Sequence, residues 1–148
     1  MTEEAYPKFY LYRRLVQSKL FIDSHFADSI NLDAIADEAY FSKYHFIGLF
    51  KKIYCKTPHQ YLTYVRIERA KDLLQTKTLV SEVCSAVGFD SISSFTNLFK
   101  RLVGQTPSAY QMHQHTIKLD IVRAPLKYVP NCFAEKHGWT KSVLSVAS

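Results

Sequence analysis

The sequence predicts an all-α fold in which two similar helical units are joined by one long helix. Three observations carry this: an internal repeat, apolar residues at helical spacing within each copy, and a strong helix-start signal between them. One copy reads Phe41-Ser-Lys-Tyr-His-Phe-Ile-Gly-Leu-Phe-Lys-Lys and then Cys55-Lys-Thr-Pro-His-Gln-Tyr61. The other reads Phe89-Asp-Ser-Ile-Ser-Ser-Phe-Thr-Asn-Leu-Phe-Lys-Arg and then Gly104-Gln-Thr-Pro-Ser-Ala-Tyr110. Ser42, Phe46, Leu49, Phe50, Lys51, Thr57, Pro58 and Tyr61 recur at one offset as Ser91, Phe95, Leu98, Phe99, Lys100, Thr106, Pro107 and Tyr110. Upstream of the turn Phe41 matches Phe89, so the offset shortens by one and Asp90 is an extra residue in the second turn.

The elements follow in order. Residues 1–11 form an N-terminal segment, and a first helix begins near Tyr12. In the first unit, residues 12–57, Asn31 can cap a short helix with Leu32, Ile35 and Ala36 on one face. After Ala39-Tyr40-Phe41, Ser42 caps a second helix whose apolar face is Phe46, Leu49, Phe50 and Ile53. The second unit, residues 76–115, repeats the scheme. Thr78 can cap a helix carrying Val80, Val83 and Cys84, Gly88 suits a helix end with positive φ, and Ser91 caps a helix with Phe95, Leu98, Phe99 and Leu102 facing inward. Two short helices around a tight turn, the second amphipathic, describe a helix-turn-helix, and two matched copies followed by basic pairs argue against a generic helical hairpin.

Between the units, residues 58–75 read as a linker helix. Thr57 is its cap, Pro58 its first residue, and Gln60 stands three after the cap. Tyr61, Leu62, Val65, Ala70, Leu73 and Leu74 give it an apolar stripe, while Arg66, Arg69 and Lys71 give a charged face. Eighteen residues at about 1.5 Å each span roughly 27 Å. Two recognition helices on one face of B-DNA must lie about 34 Å apart, which such a linker plus the width of each unit provides.

Composition sets the outer bounds. The chain has 148 residues and a net charge of +6, which favours an anionic partner. Cys55, Cys84 and Cys132 form no C-x-x-C pair and the histidines show no matching ligand spacing, so reduced thiols and no metal or cofactor are expected. The N-terminal Met-Thr-Glu-Glu has neither the basic nor the apolar region of a signal peptide, and no apolar run is long enough for a membrane span. A cytoplasmic, nucleoid-associated protein is expected.

From about Tyr12 to Tyr110 the chain resembles the DNA-binding region of the AraC/XylS regulators. Ile35-Ala36, Phe50-Lys51-Lys52, Arg66 with Ile67 and Ala70, Leu73-Leu74, Val87-Gly88-Phe89 and Gly104-Gln-Thr-Pro all fit that pattern. The resemblance implies about seven helices, with recognition helices at residues 42–54 and 91–103. It implies a partner in double-stranded DNA and activation through contact with RNA polymerase. Larger relatives carry a ligand-binding domain, and the few residues before the first helix make the stand-alone type the expectation here. Binding as a monomer to an asymmetric site, with DNA bending to admit both helices, completes the expected mechanism.

Helix geometry then nominates contacts. With Phe46, Leu49, Phe50 and Ile53 inward, Tyr44, Ile47, Gly48 and Lys51 lie opposite, and Ser93, Thr96, Asn97 and Lys100 are their second-unit counterparts, with Ile92 beside them. Base-contact candidates are Tyr44, Ile47, Gly48, Ile92, Ser93, Thr96 and Asn97. Asn97 leads, because Asn bonds adenine through two hydrogen bonds. The resemblance implies a DNA-contacting aromatic at Tyr44, against the alternative of a tyrosine packed on its neighbour. Lys43, Lys51, Lys52, Lys100 and Arg101 are phosphate-contact candidates, whereas Arg66 and Arg69 are expected to tie the units together.

Two departures from the family pattern matter. Ile47 and Gly48 replace long polar side chains, so either the backbone approaches DNA closely there or the first unit discriminates little; the second is favoured. Cys55 stands where glycine is expected, which implies a strained or reshaped turn. Residues 116–148 lie beyond the family core, with Ile117, Leu119 and Ile121 in alternation, then Pro125, Pro130 and Trp139. They could pack on the second unit, form a short strand or present an interaction surface. No activated cysteine, catalytic triad, carboxylate pair or phosphate-binding glycine loop is evident, so no enzyme is expected. The remaining alternative is a protein-interaction module that keeps the fold with weak or no DNA affinity.

Overall fold

The computed structural model describes residues 5–33 and 43–138, and these are helical, with no strand among them. The order is α1 (Ala5–His25), α2 (Lys43–Tyr54), α3 (Pro58–Leu74), α4 (Val80–Ala86), α5 (Ile92–Val103) and α6 (Pro107–Arg123), followed by a 3-10 turn (Pro125–Tyr128) and α7 (Asn131–Lys136). The expected helix after Asn31 starts at Leu32, and the Asn31 side chain accepts from the Asp33 N–H at 3.0 Å. Ile35, Ala36, the Ala39–Phe41 turn, Ser42 and Trp139 lie outside the described residues.

Two apolar clusters correspond to the two copies of the repeat. The first gathers Leu15, Ile22, Phe46, Phe50 and Leu62 from α1, α2 and α3. The second gathers Ile67, Ala70, Leu74, Val83, Cys84, Val87, Phe95, Phe99 and Tyr110 from α3 to α6. The repeated phenylalanines Phe46/Phe95 and Phe50/Phe99 are the centre of each, all essentially without solvent exposure. α3 contributes to both cores from successive turns, so it is a shared wall as well as a spacer. Ile67, buried here, belongs to that wall although the apolar stripe did not include it.

The start of α3 forms as its sequence dictates. The Thr57 hydroxyl accepts from the Gln60 N–H at 3.2 Å, and the Gln60 side-chain oxygen accepts from the Thr57 N–H at 3.0 Å. Each side chain thus satisfies a backbone donor of the other's residue. Thr106 repeats the first half at α6, accepting from the Ala109 N–H at 3.2 Å.

Several expectations need correction. α1 begins at Ala5, inside the segment 1–11, so the first helix starts well before Tyr12. Leu79, not Thr78, is the N-cap of α4. The Thr78 hydroxyl pairs with that of Thr76 at 2.6 Å, and Glu82 instead accepts from the Leu79 N–H at 3.4 Å. Ile53 and Leu102 are not core residues: they are 39% and 53% exposed. They sit at equivalent positions in the last turns of α2 and α5, where the next residues, Tyr54 and Val103, pack on the cores instead and continue the line of the buried phenylalanines. The strand considered for the C-terminal part does not occur among the described residues. Ile117, Leu119 and Ile121 continue α6, and Lys118 Nζ reaches back to the Gln75 carbonyl at 2.7 Å. Gln111 Nε2 joins it, donating to the carbonyls of Thr76 and Thr78 at 3.0 and 2.7 Å. The exposed end of α3 is thereby closed by α6.

Candidate nucleic-acid interface

The two candidate faces are built on α2 and α5, twelve-residue helices that occupy the same place in their units. Neither contains an acidic residue, and each carries a basic pair in its last turn: Lys51 and Lys52 in α2, Lys100 and Arg101 in α5. Phe46 and Phe50, like Phe95 and Phe99, anchor one side of each helix in a core, which leaves the opposite side to solvent.

On α2, Tyr44 is 87% exposed, so its ring is not packed on a neighbouring helix. Gly48 is exposed, and a methyl group there would meet nothing within 4 Å. Lys51 and Lys52 are exposed. Ile47 departs from the expected open face: it is half-buried and packs against the first core. Lys43 is exposed but paired with Asp33 at 2.9 Å, a contact that holds its ammonium above the usual lysine range. Both partners are well exposed, so solvent screens the pair and a phosphate can displace it.

On α5, Ser93, Asn97 and Lys100 are exposed, Ile92 is 52% exposed and Thr96 is half-buried. Ser91 accepts from the Ser94 N–H at 3.3 Å, fixing the start of the helix and with it the aim of Ser93. Arg101 lies off the centre of this face, lining an open groove of about 730 Å³ against His59 and Tyr64 of α3. His45 and Ser94 are further exposed residues at equivalent positions of the two helices, which the sequence-based set omitted because only the inward positions carry a periodic signal.

Both candidate helices end in a left-handed residue. Gly104 has φ +94°, and Cys55, its counterpart, is the non-glycine with positive φ among the described residues, at +60°. The N–H of each closes the helix onto the carbonyl four residues back, Cys55 on Lys51 and Gly104 on Lys100, at 2.9 Å in both. The turn keeps its shape in both copies, and Cys55 carries the steric cost that glycine avoids. Of the cysteines, Cys55 and Cys132 are exposed, and burial raises the Cys84 thiol pKa. No cluster of His, Cys, Asp and Glu able to hold a metal ion occurs among the described residues, and none of their helices is long and apolar enough to cross a membrane.

A family profile described as a helix-turn-helix domain matches residues 35–113, more than half of the chain. The chain belongs to the AraC/XylS-type family of helix-turn-helix transcription regulators. It is 35% identical over 92 residues to the bifunctional transcriptional activator/DNA repair enzyme AdaA of Bacillus subtilis, covering 62% of this chain and 44% of that protein. It is 34% identical over 96 residues to the TetD protein of transposon Tn10 from Escherichia coli, covering 64% and 70%. Among solved structures it is similar to the DNA-binding domain of the global transcriptional factor AdpA in complex with a target DNA. That likeness has 26% identity and a TM-score of 0.62, over 75% of this chain and 96% of that one. The match spans less than half the length of AdaA and of the probable regulator LumQ of Photobacterium leiognathi, at 44% and 37%.

Proposed function

We propose that the chain regulates transcription by binding DNA sequence-specifically, one recognition helix in each of two successive major grooves. The observation that carries the reading is the pairing of α2 and α5: repeated helices without an acidic residue, each anchored by two buried phenylalanines and ending in a basic pair. Base contacts are assigned to Tyr44, Ile47, Gly48, Ile92, Ser93, Thr96 and Asn97, with Ile47, a hydrocarbon side chain, offering only apolar contact. Lys43, Lys51, Lys52, Lys100 and Arg101 are assigned to phosphates, which position the protein without reading sequence. In the same proposal residues 12–57 and 76–115 are the two reading units and 58–75 their linker. A single chain occupies an asymmetric site in the nucleoid of the cytoplasm and activates by touching RNA polymerase.

The test is selection of bound sequences from random duplex DNA, with affinity followed across salt concentration. The expected outcome is an asymmetric motif, one chain per duplex, and a log–log salt slope of about −0.9 for each phosphate neutralised. An unenriched pool with salt-insensitive binding would overturn the reading in favour of a protein-interaction module.

A further inference from the structure

The two units meet through a contact in which the DNA-facing residues take no part. Phe26, just past α1, packs against both apolar cores. Its carbonyl accepts from Arg66 Nε at 2.6 Å, and the Asp28 carbonyl accepts from Arg66 Nη2 at 3.0 Å. The same guanidinium stands 5.6 Å from the centre of the Phe89 ring, in the turn of the second unit. Arg69, nearly one turn further along α3, stands 5.7 Å from the centre of the Phe26 ring. Burial lowers the Arg66 pKa, and Asp90, the residue by which the second turn exceeds the first, opposes that shift. A second, independent approach lies beside it. Gly88 has φ +89°, and a Cβ there would come within 2.7 Å of the Ala27 carbonyl oxygen, so first-unit backbone rests directly on the second-unit turn.

We propose that Arg66 is a positioning residue that sets the angle between the two units, and with it the half-site spacing the protein accepts. α3 fixes how far apart the units are along its axis, but each unit could still rock about that axis on its apolar contacts. A planar guanidinium bonded to two carbonyls is held in orientation as well as in place, which a lysine ammonium on a flexible stem is not. With Phe89 against it, that plane transmits the position of the Phe26–Asp28 segment to the second turn. The consequence for spacing rests on the DNA-binding reading; the clamp itself does not.

The clamp is tested in the free full-length chain. Nitroxide labels go on Gln17→Cys in α1 and Ser81→Cys in α4, with Cys55→Ser and Cys132→Ser removing the other exposed thiols. Arg66 should give one narrow distance distribution, Arg66→Met a distribution at least twice as wide, and Arg66→Lys an intermediate one. Unchanged widths in both variants overturn the proposal. If Arg66→Met loses its helical circular dichroism, Arg66→Lys alone decides. On duplexes selected by the wild-type chain, one base pair inserted between the half-sites should lower wild-type affinity about a hundredfold, because simultaneous engagement of both units is lost. Arg66→Met should lose less than about tenfold, since units free to rock recover part of that engagement. An equal spacing penalty in both overturns the specificity role even where the distances broaden. A chain that selects no duplex overturns the DNA-binding reading, and the distance widths then judge the clamp by themselves.

Discussion

The first and second units share a skeleton but differ in what they present. Phe46 and Phe50 bury as Phe95 and Phe99 do, Thr57-Pro58 starts α3 as Thr106-Pro107 starts α6, and Cys55 adopts the left-handed turn of Gly104. On the outer faces the likeness ends. Tyr44 and Gly48 leave an aromatic and a bare position, with Ile47 drawn half into the core, whereas Ser93, Thr96 and Asn97 offer hydroxyls and an amide. Packing constrains the inward residues of a repeat to near-identity, because a core at crystal-like density tolerates little change in volume. The outward residues are free of that constraint and can diverge according to what each helix must meet.

The sharpest way to break the comparison is to empty each core in turn. Phe50→Ala and Phe99→Ala should each cost about 3–5 kcal/mol. Hydrogen exchange should show protection lost first in α1 and α2 for Phe50→Ala, and in α4 and α5 for Phe99→Ala. Uniform loss in both would mean that the units unfold as one.

Next in size is the contrast between the faces. Asn97→Ala should relax base preference in one half of the selected motif, by about 1–3 kcal/mol of discrimination. Gly48→Ala should change DNA affinity little while raising stability by about 1 kcal/mol, since the added methyl has open space in a helix interior. A large loss of DNA affinity in Gly48→Ala would show instead that the α2 backbone lies against the duplex and that the first unit reads by close approach.

The two turns give a smaller and reciprocal pair. Cys55→Gly should raise thermal stability by about 1–2 kcal/mol through relief of the left-handed strain, and Gly104→Ala should lower it by a similar amount. Smallest is an effect confined to the C-terminal part. Lys127 and Tyr128 hydrogen-bond to Asp120 and hold its carboxyl below the usual range. A depressed carboxyl stabilises the fold above its unfolded pKa, near 3.9, and loses that contribution as pH falls through the lower folded value. The 3-10 turn should therefore loosen below about pH 3.9 while both cores persist, as amide exchange at residues 126–128 would show.

Much of the architecture was legible in the sequence, for local reasons. The repeat, the Thr-Pro helix starts, Gly88 and the paired phenylalanines are each set by neighbouring residues, and each reappears in the structure. What escaped depended on the rest of the molecule. Ile53 and Leu102 have the spacing of core residues, but which residue of a last turn faces inward is set by what the helix packs on, and here Tyr54 and Val103 take that side. Thr78 looked like a cap by type, yet Thr76 competes for its hydroxyl and Glu82 supplies the N-terminal contact. Arg66 could be assigned to joining the units, but its partners Phe26 and Asp28 lie some forty residues away, at 40 and 38 positions. Tyr44 was visible as a candidate, but its exposure depends on how α2 is set against the rest of the fold. α6 running past residue 115 to close the end of α3 left no local trace, because Lys118 looks like any surface lysine.

The three cysteines give the chain a chemical clock. A thiol reagent meets Cys55 and Cys132 at once, whereas Cys84 lies among Val83, Val87 and Phe95 with its thiol harder to ionise. Its labelling must wait for the second core to open, so the slow third modification counts those openings one molecule at a time. Adding a selected DNA duplex should slow that count in proportion to how firmly the second unit is held. The protein thus carries its own reporter on the second unit and none in the first core.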